Sequence, residues 1–435
     1  MINTKKDMIM NKIYIFILLV SCYATLLIAC KKYDDLVPTE YHNVVLIKEN
    51  GNQEVTLYTG VNEKGSFEFT VMKSGSKPEA VATVETELIN EERLKNLGFT
   101  AVKQLPSNLY TIDKTRFNLD GNNRYAKGAV TLKNDEVERF LQSLPANERE
   151  DYRIALQIKS SNATVNSDKN FFLLRPVLLK PAISYEEAQK EVTVGSNGIT
   201  YDLFLTLPFS SPWDFECTVV TGTEATLPTT AFSFENGGKV IFKKGNKRSE
   251  ALHIQLKGDL LGKYTLPLKI SEITKSGIKF PSNDFMLNVL CNKVPLTANM
   301  LSTNAQEPTE GPIANLLDGN LSTFFHSAWS VAVAETHNIM VTLNNEKRQF
   351  TFTYNNRQHT NGKAKVIKIL GSNNDSATWY EITTISSGLP TANGGGYTSA
   401  VIDSPQPFKK LRFDVEQTQG GTKYFCMSEF AIFAK

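Results

Sequence analysis

Apolar and polar positions alternate along most of this chain, in short runs that Gly, Asn, Pro and Ser interrupt. Phe67-Glu68-Phe69-Thr70-Val71 alternates strictly, while Ala129-Val130-Thr131-Leu132 and Ile154-Ala155-Leu156-Gln157-Ile158 form compact blocks with β-branched residues. Successive side chains of a strand point to opposite faces, so such runs predict strands with one or both faces buried. The clearest helical segment, Asn134–Leu144, is short. The pattern predicts an all-β chain built of antiparallel β-sandwiches.

One order of segments occurs twice. Leu105-Pro106 followed by Tyr110 is echoed by Leu227-Pro228 followed by Phe232. After each come a glycine-containing turn, a strand (Ala129–Leu132, then Ala251–Ile254), a Tyr-led strand (Tyr152–Ile158, then Tyr264–Ile270) and a final apolar strand (Phe171–Leu174, then Phe285–Leu290). Two related immunoglobulin-like modules follow, residues 37–180 and 181–294, with a third domain over 295–435. Pro176 and Pro181 mark the first seam and Pro295 the second, since proline cannot donate to a strand ladder.

The first residues change the setting. Lys5, Lys6 and Lys12 precede or flank Ile13–Val20, an apolar run too short to span a bilayer, which is the layout of a secretory signal over residues 1–29. Leu27-Ile28-Ala29-Cys30 resembles the bacterial lipobox, which implies that Cys30 becomes the lipidated first residue of the mature protein, with residues 30–36 as its tether. Lys31-Lys32-Tyr33-Asp34-Asp35 is similar to the charged segment that sends Bacteroidetes lipoproteins to the cell surface. The expectation is an outer-membrane, lipid-anchored protein facing the exterior.

Charge then excludes one class of partner. The 435 residues hold 47 Lys+Arg and 45 Asp+Glu, and removal of three lysines and Asp7 with the signal leaves 44 of each. A neutral chain has no electrostatic footprint for nucleic acid. Its length and 41% hydrophobic content suffice for two or three cores. Beyond Cys22 and Cys30 only Cys217, Cys291 and Cys426 remain, too few for a disulfide scaffold; a Cys217–Cys291 bridge and three buried thiols are both open.

The first module resembles the Bacteroidetes domain of unknown function 1735, found at the start of surface lipoproteins and of some family 18 glycoside hydrolases, and residues 181–294 resemble a diverged copy of it. In the third domain, Asn315–Trp329 reads NLLDGNLSTFFHSAW. Asp318-Gly319-Asn320 with Thr323, then His326 and Trp329, are followed by Tyr354, Arg357, Asn361-Gly362, Gly371-Ser372-Asn373, Trp379 and a closing Ser428-Glu429-Phe430-Ala431-Ile432-Phe433. In that order they resemble the discoidin domain, or coagulation-factor type C domain, whose bacterial members include carbohydrate-binding modules of family 32. The resemblance implies an eight-stranded discoidin-like jelly-roll sandwich with a binding surface on the loops at one end.

It also implies roles. A structural calcium would be held by the carboxylates of Asp318 and Glu429, by Thr323, and by main-chain oxygens of Asn315, Asn320 and Ser428, the oxygen-rich cage a hard cation needs. The alternative is a plain Asp-Gly-Asn turn. For a glycan, His326, Arg357 and Asn361 stand at the matching places, with Glu310 as a carboxylate and Tyr424 or Phe425 as the aromatic platform. Phe325 replaces a tryptophan common in relatives and reads as core, as do Trp329 and Trp379.

No His-Glu-x-x-His, Gly-x-Ser-x-Gly, Gly-x-x-x-x-Gly-Lys or Cys-x-x-Cys motif occurs, and the acidic run of family 18 hydrolases is absent, so the expectation is not an enzyme. The reading is a surface lipoprotein whose head binds a glycan beside an outer-membrane importer or hydrolase. The alternatives are an adhesin for host protein or phospholipid, and a structural surface component.

Overall fold

The computed structural model describes residues 37–373 and 378–435; the expected signal, the lipidated Cys30 and the tether lie outside them. The chain divides into two compact units, one ending at Pro181 with Ser276–Ile278 added, the other comprising Ala182–Lys275 and Lys279–Lys435.

The first unit is a sandwich. One sheet runs Thr164–Val165, Val44–Ile47, Gly65–Ser74, Tyr125–Leu132, Tyr110–Ile112; the other runs Gly51–Tyr58, Phe171–Leu179, Tyr152–Ser160, Ala82–Leu88, Arg116–Leu119. Between them Phe69, Phe117 and Phe172 are fully buried, with the Phe69 ring centroid 5.9 Å from that of Phe117 and 5.4 Å from that of Phe172. Gly128 makes room for this cluster, since a Cβ there would stand 2.6 Å from Phe69 Cζ. The helix Asn134–Gln142 buries Val137 and Leu141 against the same core, and a short helix, Glu91–Asn96, went unread in the sequence.

Pairing is not wholly antiparallel. Gly51–Tyr58 lies parallel to Phe171–Leu179, as strands far apart in sequence can, because no hairpin joins them. Pro176, expected at a seam, lies inside that strand, beyond the point where the antiparallel partner stops at Leu174, so its missing N–H costs no ladder bond on that side.

Residues 182–291, all but 276–278 of them in the second unit, repeat the scheme. Gln189–Val194, Phe285–Cys291, Gly262–Ile273, Phe215–Thr221 and Lys239–Phe242 take the strand order of the second sheet above, including the parallel edge. Ile199–Leu203, Leu252–Leu256 and Phe232–Phe234 reproduce three strands of the first. The Leu-Pro echo has a physical basis: each proline opens a 3-10 turn, Ser107–Leu109 or Thr229–Ala231, that feeds an aromatic-led strand. Cys217 and Cys291 are free and buried, and burial pushes their thiols up to about 12 and about 11, so both are inert packing groups.

The rest of the second unit is a β-sandwich of eight connected strands. Its path is Phe325–His326, Cys426–Ala434, Asn338–Asn356, Ile402–Thr418, Ala364–Ser372, Tyr380–Ile385, with Leu301–Ser302 and Gly396–Thr398 also on Asn338–Asn356. Asn338–Asn356 is long enough to serve two partners: its first part pairs with Ile402–Thr418 and, past a register break, its second with Cys426–Ala434. Phe350, Phe352, Phe408, Phe413 and Phe430 fill the interior.

Pro295 does not follow a loose linker. Val294 N–H donates to Ile432 O at 2.8 Å, Ala434 N–H donates to Asn292 O at 2.9 Å, and Leu261 and Leu290 pack on Phe433. The second module and the third domain thus share strand pairing and a small apolar cluster.

Candidate functional site

The short strand Phe325–His326 pairs with the last strand, placing His326 opposite Cys426. Phe325 is fully buried against Phe425, ring centroids 5.6 Å apart, as expected for core. His326 is buried as well, but among polar and aromatic groups. Its ring lies 5.1 Å from that of Tyr424, 6.3 Å from Phe324 and 6.5 Å from Trp329. Nδ1 lies 2.7 Å from Ser327 O, an atom that only accepts, so Nδ1 carries a proton and Nε2 faces Glu310 Oε1 at 3.9 Å.

The loop before this strand approaches closely. His326 N–H donates to Gly311 O at 2.9 Å, and Gly311 has φ +60; a Cβ there would sit 2.6 Å from His326 N. The adjoining Glu310 accepts the indole N–H of Trp329 at 3.1 Å.

Trp329 was expected in the core, and the structure corrects this: it is 55% exposed. The strand ends at His326, and past the buried Ala328 the chain bends into a loop, so the side chain of Trp329 stands over the rim. Phe425, offered as a platform, is fully buried, because it occupies the inward position beside Phe325. Tyr424, one residue earlier, is half-buried against His326 and keeps that role open. Trp379 is only half-buried, with the Arg412 guanidinium 5.0 Å from its ring centroid.

Glu307, which belongs to no sequence motif, is 2% exposed and fixes the Trp329 loop. Its Oε2 accepts from Trp329 N at 2.8 Å and Ser330 N at 3.0 Å; its Oε1 accepts from Ser330 Oγ at 2.6 Å and Thr309 Oγ1 at 3.2 Å. Burial opposes its charge, but the hydrogen bonds win and pull the carboxyl down to about 2.

Arg357 follows the long strand Asn338–Asn356 and lays its guanidinium 3.4 Å from the centroid of the Phe324 ring, a stacked placement that leaves the fork's edge for polar partners. Asn361 is exposed on the next turn. That turn docks beside the last strand, for Cys426 N–H donates to Gly362 O at 2.8 Å, and Gly362 has φ +75. Glu310, His326, Arg357, Tyr424 and Trp329 therefore gather around one rim, with Asn361 on a loop fastened next to it.

The Asp-Gly-Asn turn is a separate cluster. Asp318 Oδ1 accepts from Asn320 N at 2.9 Å, and Gly319 takes φ +74. Thr323 Oγ1 lies 2.7 Å from both Asp318 Oδ2 and Asn320 O, so one proton serves two acceptors. The Asn315 amide donates to Phe324 O at 3.0 Å. Glu429 reaches Asp318 from the last strand; burial first, then Asp318, raises its carboxyl, while Thr323 and the Asn320 N–H lower that of Asp318. Glu429 Oε1 and the Ser428 hydroxyl are buried without a hydrogen-bond partner among the described residues. No three His, Cys, Asp or Glu side chains gather to hold a metal among the described residues, so a cation here would need main-chain or hydroxyl oxygens.

This eight-stranded sandwich with a loop rim is a discoidin-type domain: the F5/8 type C domain family matches residues 300–430. A second family, described as an N-terminal domain, matches residues 40–165 and again 180–277, together more than half of the chain. The chain belongs to that N-terminal-domain family and carries the domain twice. No curated protein matches it. Among solved structures it is similar to CpGH89CBM32-5 from Clostridium perfringens, in complex with GalNAc-β-1,3-galactose (20% identity, 31% of this chain and 94% of that chain, TM-score 0.27). It is also similar to the family 32 carbohydrate-binding module of NanJ from the same organism, in complex with galactose (20%, 30% and 90%, TM-score 0.26). A two-domain protein of unknown function from Bacteroides fragilis covers 91% of this chain, over 95% of its own length, at 10% identity and a TM-score of 0.24.

Proposed function

We propose that the third domain binds a glycan and that the chain is a lipid-anchored surface protein which captures that glycan for a neighbouring importer or hydrolase. The observation that carries the binding is the exposed indole of Trp329 beside His326, Glu310 and Arg357. A sugar ring has apolar C–H faces and hydroxyl edges, so it calls for one aromatic wall and a few fixed polar groups. Trp329, with Tyr424 behind His326, supplies the wall; Glu310 accepts from hydroxyls, Arg357 donates, and Asn361 does both. The role is binding rather than catalysis. The test is retention of the full chain on arrayed glycans, galactose and GalNAc-β-1,3-galactose among them, which Trp329→Ala should abolish.

The finer parts of the proposal have their own tests. Cys30 would carry acyl chains, and two or more chains give lasting membrane attachment, so Cys30→Ala should shift the protein from the detergent phase to the aqueous phase. In the Asp318 turn, converging oxygens outnumber the protons that could join them, and Glu429 Oε1 is unpartnered; a bound calcium would satisfy them, with Asp318 and Glu429 supplying charge. Val331 is exposed two residues after Trp329, which favours a membrane reading of the same loop. Glu310 beside the indole opposes it for anionic lipid, and binding to phosphatidylserine vesicles would reverse the order of the two.

A further inference from the structure

A large cleft in the third domain lies apart from the rim itself. It measures 530 Å3, and it lies between the loop through Val333–His337 and the end of strand Ile402–Thr418 with the loop that follows. That volume falls within the range of small-molecule sites. The polar ends of Glu335, Lys365, Glu416, Gln417 and Lys423 border it, and none of these five side chains makes a hydrogen bond or ion pair within the described residues. Two carboxylates against two ammonium groups leave no excess charge for a phosphate or a polyanion, and Val333, Ala334 and Val415 make up the apolar share. Such a lining, neutral and rich in donors and acceptors, suits hydroxyl and amide groups.

The cleft adjoins the rim through shared elements. The loop that starts with Trp329 at the rim ends with Val333–His337 in the cleft, and Lys423 in the cleft is followed by Tyr424 at the rim. Behind both, the Ser327 hydroxyl accepts from Phe425 N at 2.8 Å and meets His337 Nδ1 at 3.0 Å. Burial first, then Lys423, holds His337 below its ordinary value, which favours the neutral ring at this hydrogen bond. The two loops are thereby pinned to one buried serine, and the rim and cleft keep a fixed relation.

We infer that the cleft is a second subsite, so that the domain reads an oligosaccharide, one residue against Trp329 and the following residues along Gln417 and Lys423. This rests on the rim being a glycan site, and it adds chain length as a determinant of selection. The test is retention of the full chain on arrays of galactose, N-acetylgalactosamine, glucose, mannose and fucose, each as monosaccharide and as linked chains of increasing length. Wild type should hold the longer members of its preferred series at least tenfold more tightly than the monosaccharide. The Gln417→Ala/Lys423→Ala variant, altered only at exposed positions and checked by its melting temperature, should fall to the monosaccharide level on every member while monosaccharide retention stays unchanged. Equal retention of short and long members that depends on Trp329, or a preference that survives the double variant, would overturn the second subsite alone. Retention of no sugar, or retention that Trp329→Ala leaves intact, would overturn the rim and the subsite together.

Discussion

Two clusters of polar residues stand side by side within fifteen positions, Asn315–Trp329, and they are built in opposite senses. In the Asp318 turn the oxygens converge on one another: Thr323 Oγ1 touches two acceptors at 2.7 Å, and Glu429 is drawn in from the last strand. At the rim the polar groups are held from behind and turn towards solvent. Glu307 grips the backbone of Trp329 and Ser330, Ser327 O fixes His326, and Phe324 supports Arg357. Both clusters offer carboxylates and hydroxyls, so residue type alone does not separate a scaffold from a binding surface. What separates them is whether the free valences face each other or face out.

That contrast can be broken in graded ways. The largest expected effect belongs to neither cluster but to the wall between rim and core: Phe425→Ala removes a fully buried ring and should destabilise the protein by about 3 to 5 kcal/mol, read by denaturant melts. Glu307→Gln keeps the shape but loses the charge that its hydrogen bonds stabilise. Hydrogen bonds to a charged group are stronger than those to a neutral amide, so loosening of the Trp329 loop should cost glycan binding roughly tenfold, read by titration calorimetry.

The calcium proposal makes the stability of the turn depend on pH and on the ion. Glu429 has a raised value in the fold, so the stability it contributes is present below its ordinary 4.5 and is lost as pH rises through the raised value. Asp318 has the opposite sign: its contribution is present above its ordinary 3.8 and disappears on acidification. Under that proposal a bound cation would take the place of a proton between the two carboxylates. In chelator the melting temperature should therefore fall as pH rises above about 4.5; millimolar calcium should remove the fall, and Glu429→Gln should flatten it. A chelated wild type with no such slope and no calcium response would leave the turn a turn. The smallest effect is at Trp379, once expected in the core. Half-buried under Arg412, it should cost only about 1 to 2 kcal/mol when replaced by Ala.

Much of this was legible in the sequence where local rules decide. Alternation marked the strands, and the Leu-Pro-to-aromatic echo survived because proline sets the 3-10 turn in both copies. Asp318-Gly319-Asn320 announced its own turn, since Gly319 takes a positive φ that few residues tolerate. The failures lie where distant contacts decide. Trp329 reads as core by composition, but the strand stops at His326, three residues before it. Phe425 and Tyr424 differ by a single position, and only the register with Phe325–His326 says which of them turns inward. Glu307 carries no motif; its role comes from backbone N–H groups more than twenty residues away. The parallel edge strands and the pairing of Asn292–Val294 with the last strand are likewise set by tertiary packing.

The central claim is that Trp329, His326 and Arg357 form one sugar-binding rim, of which the exposed Trp329 and the half-buried Arg357 do not support the fold. The direct measurement is retention of the full chain, Trp329→Ala, His326→Ala and Arg357→Ala on the same glycan array, with melting temperatures alongside. Sites of this kind bind at roughly millimolar to micromolar strength, about −4 to −8 kcal/mol, so loss of one stacked ring or charged hydrogen bond should bring each variant to background while Trp329→Ala and Arg357→Ala melt as wild type does. Undiminished retention by all three variants would place the sugar elsewhere on the molecule and contradict the account.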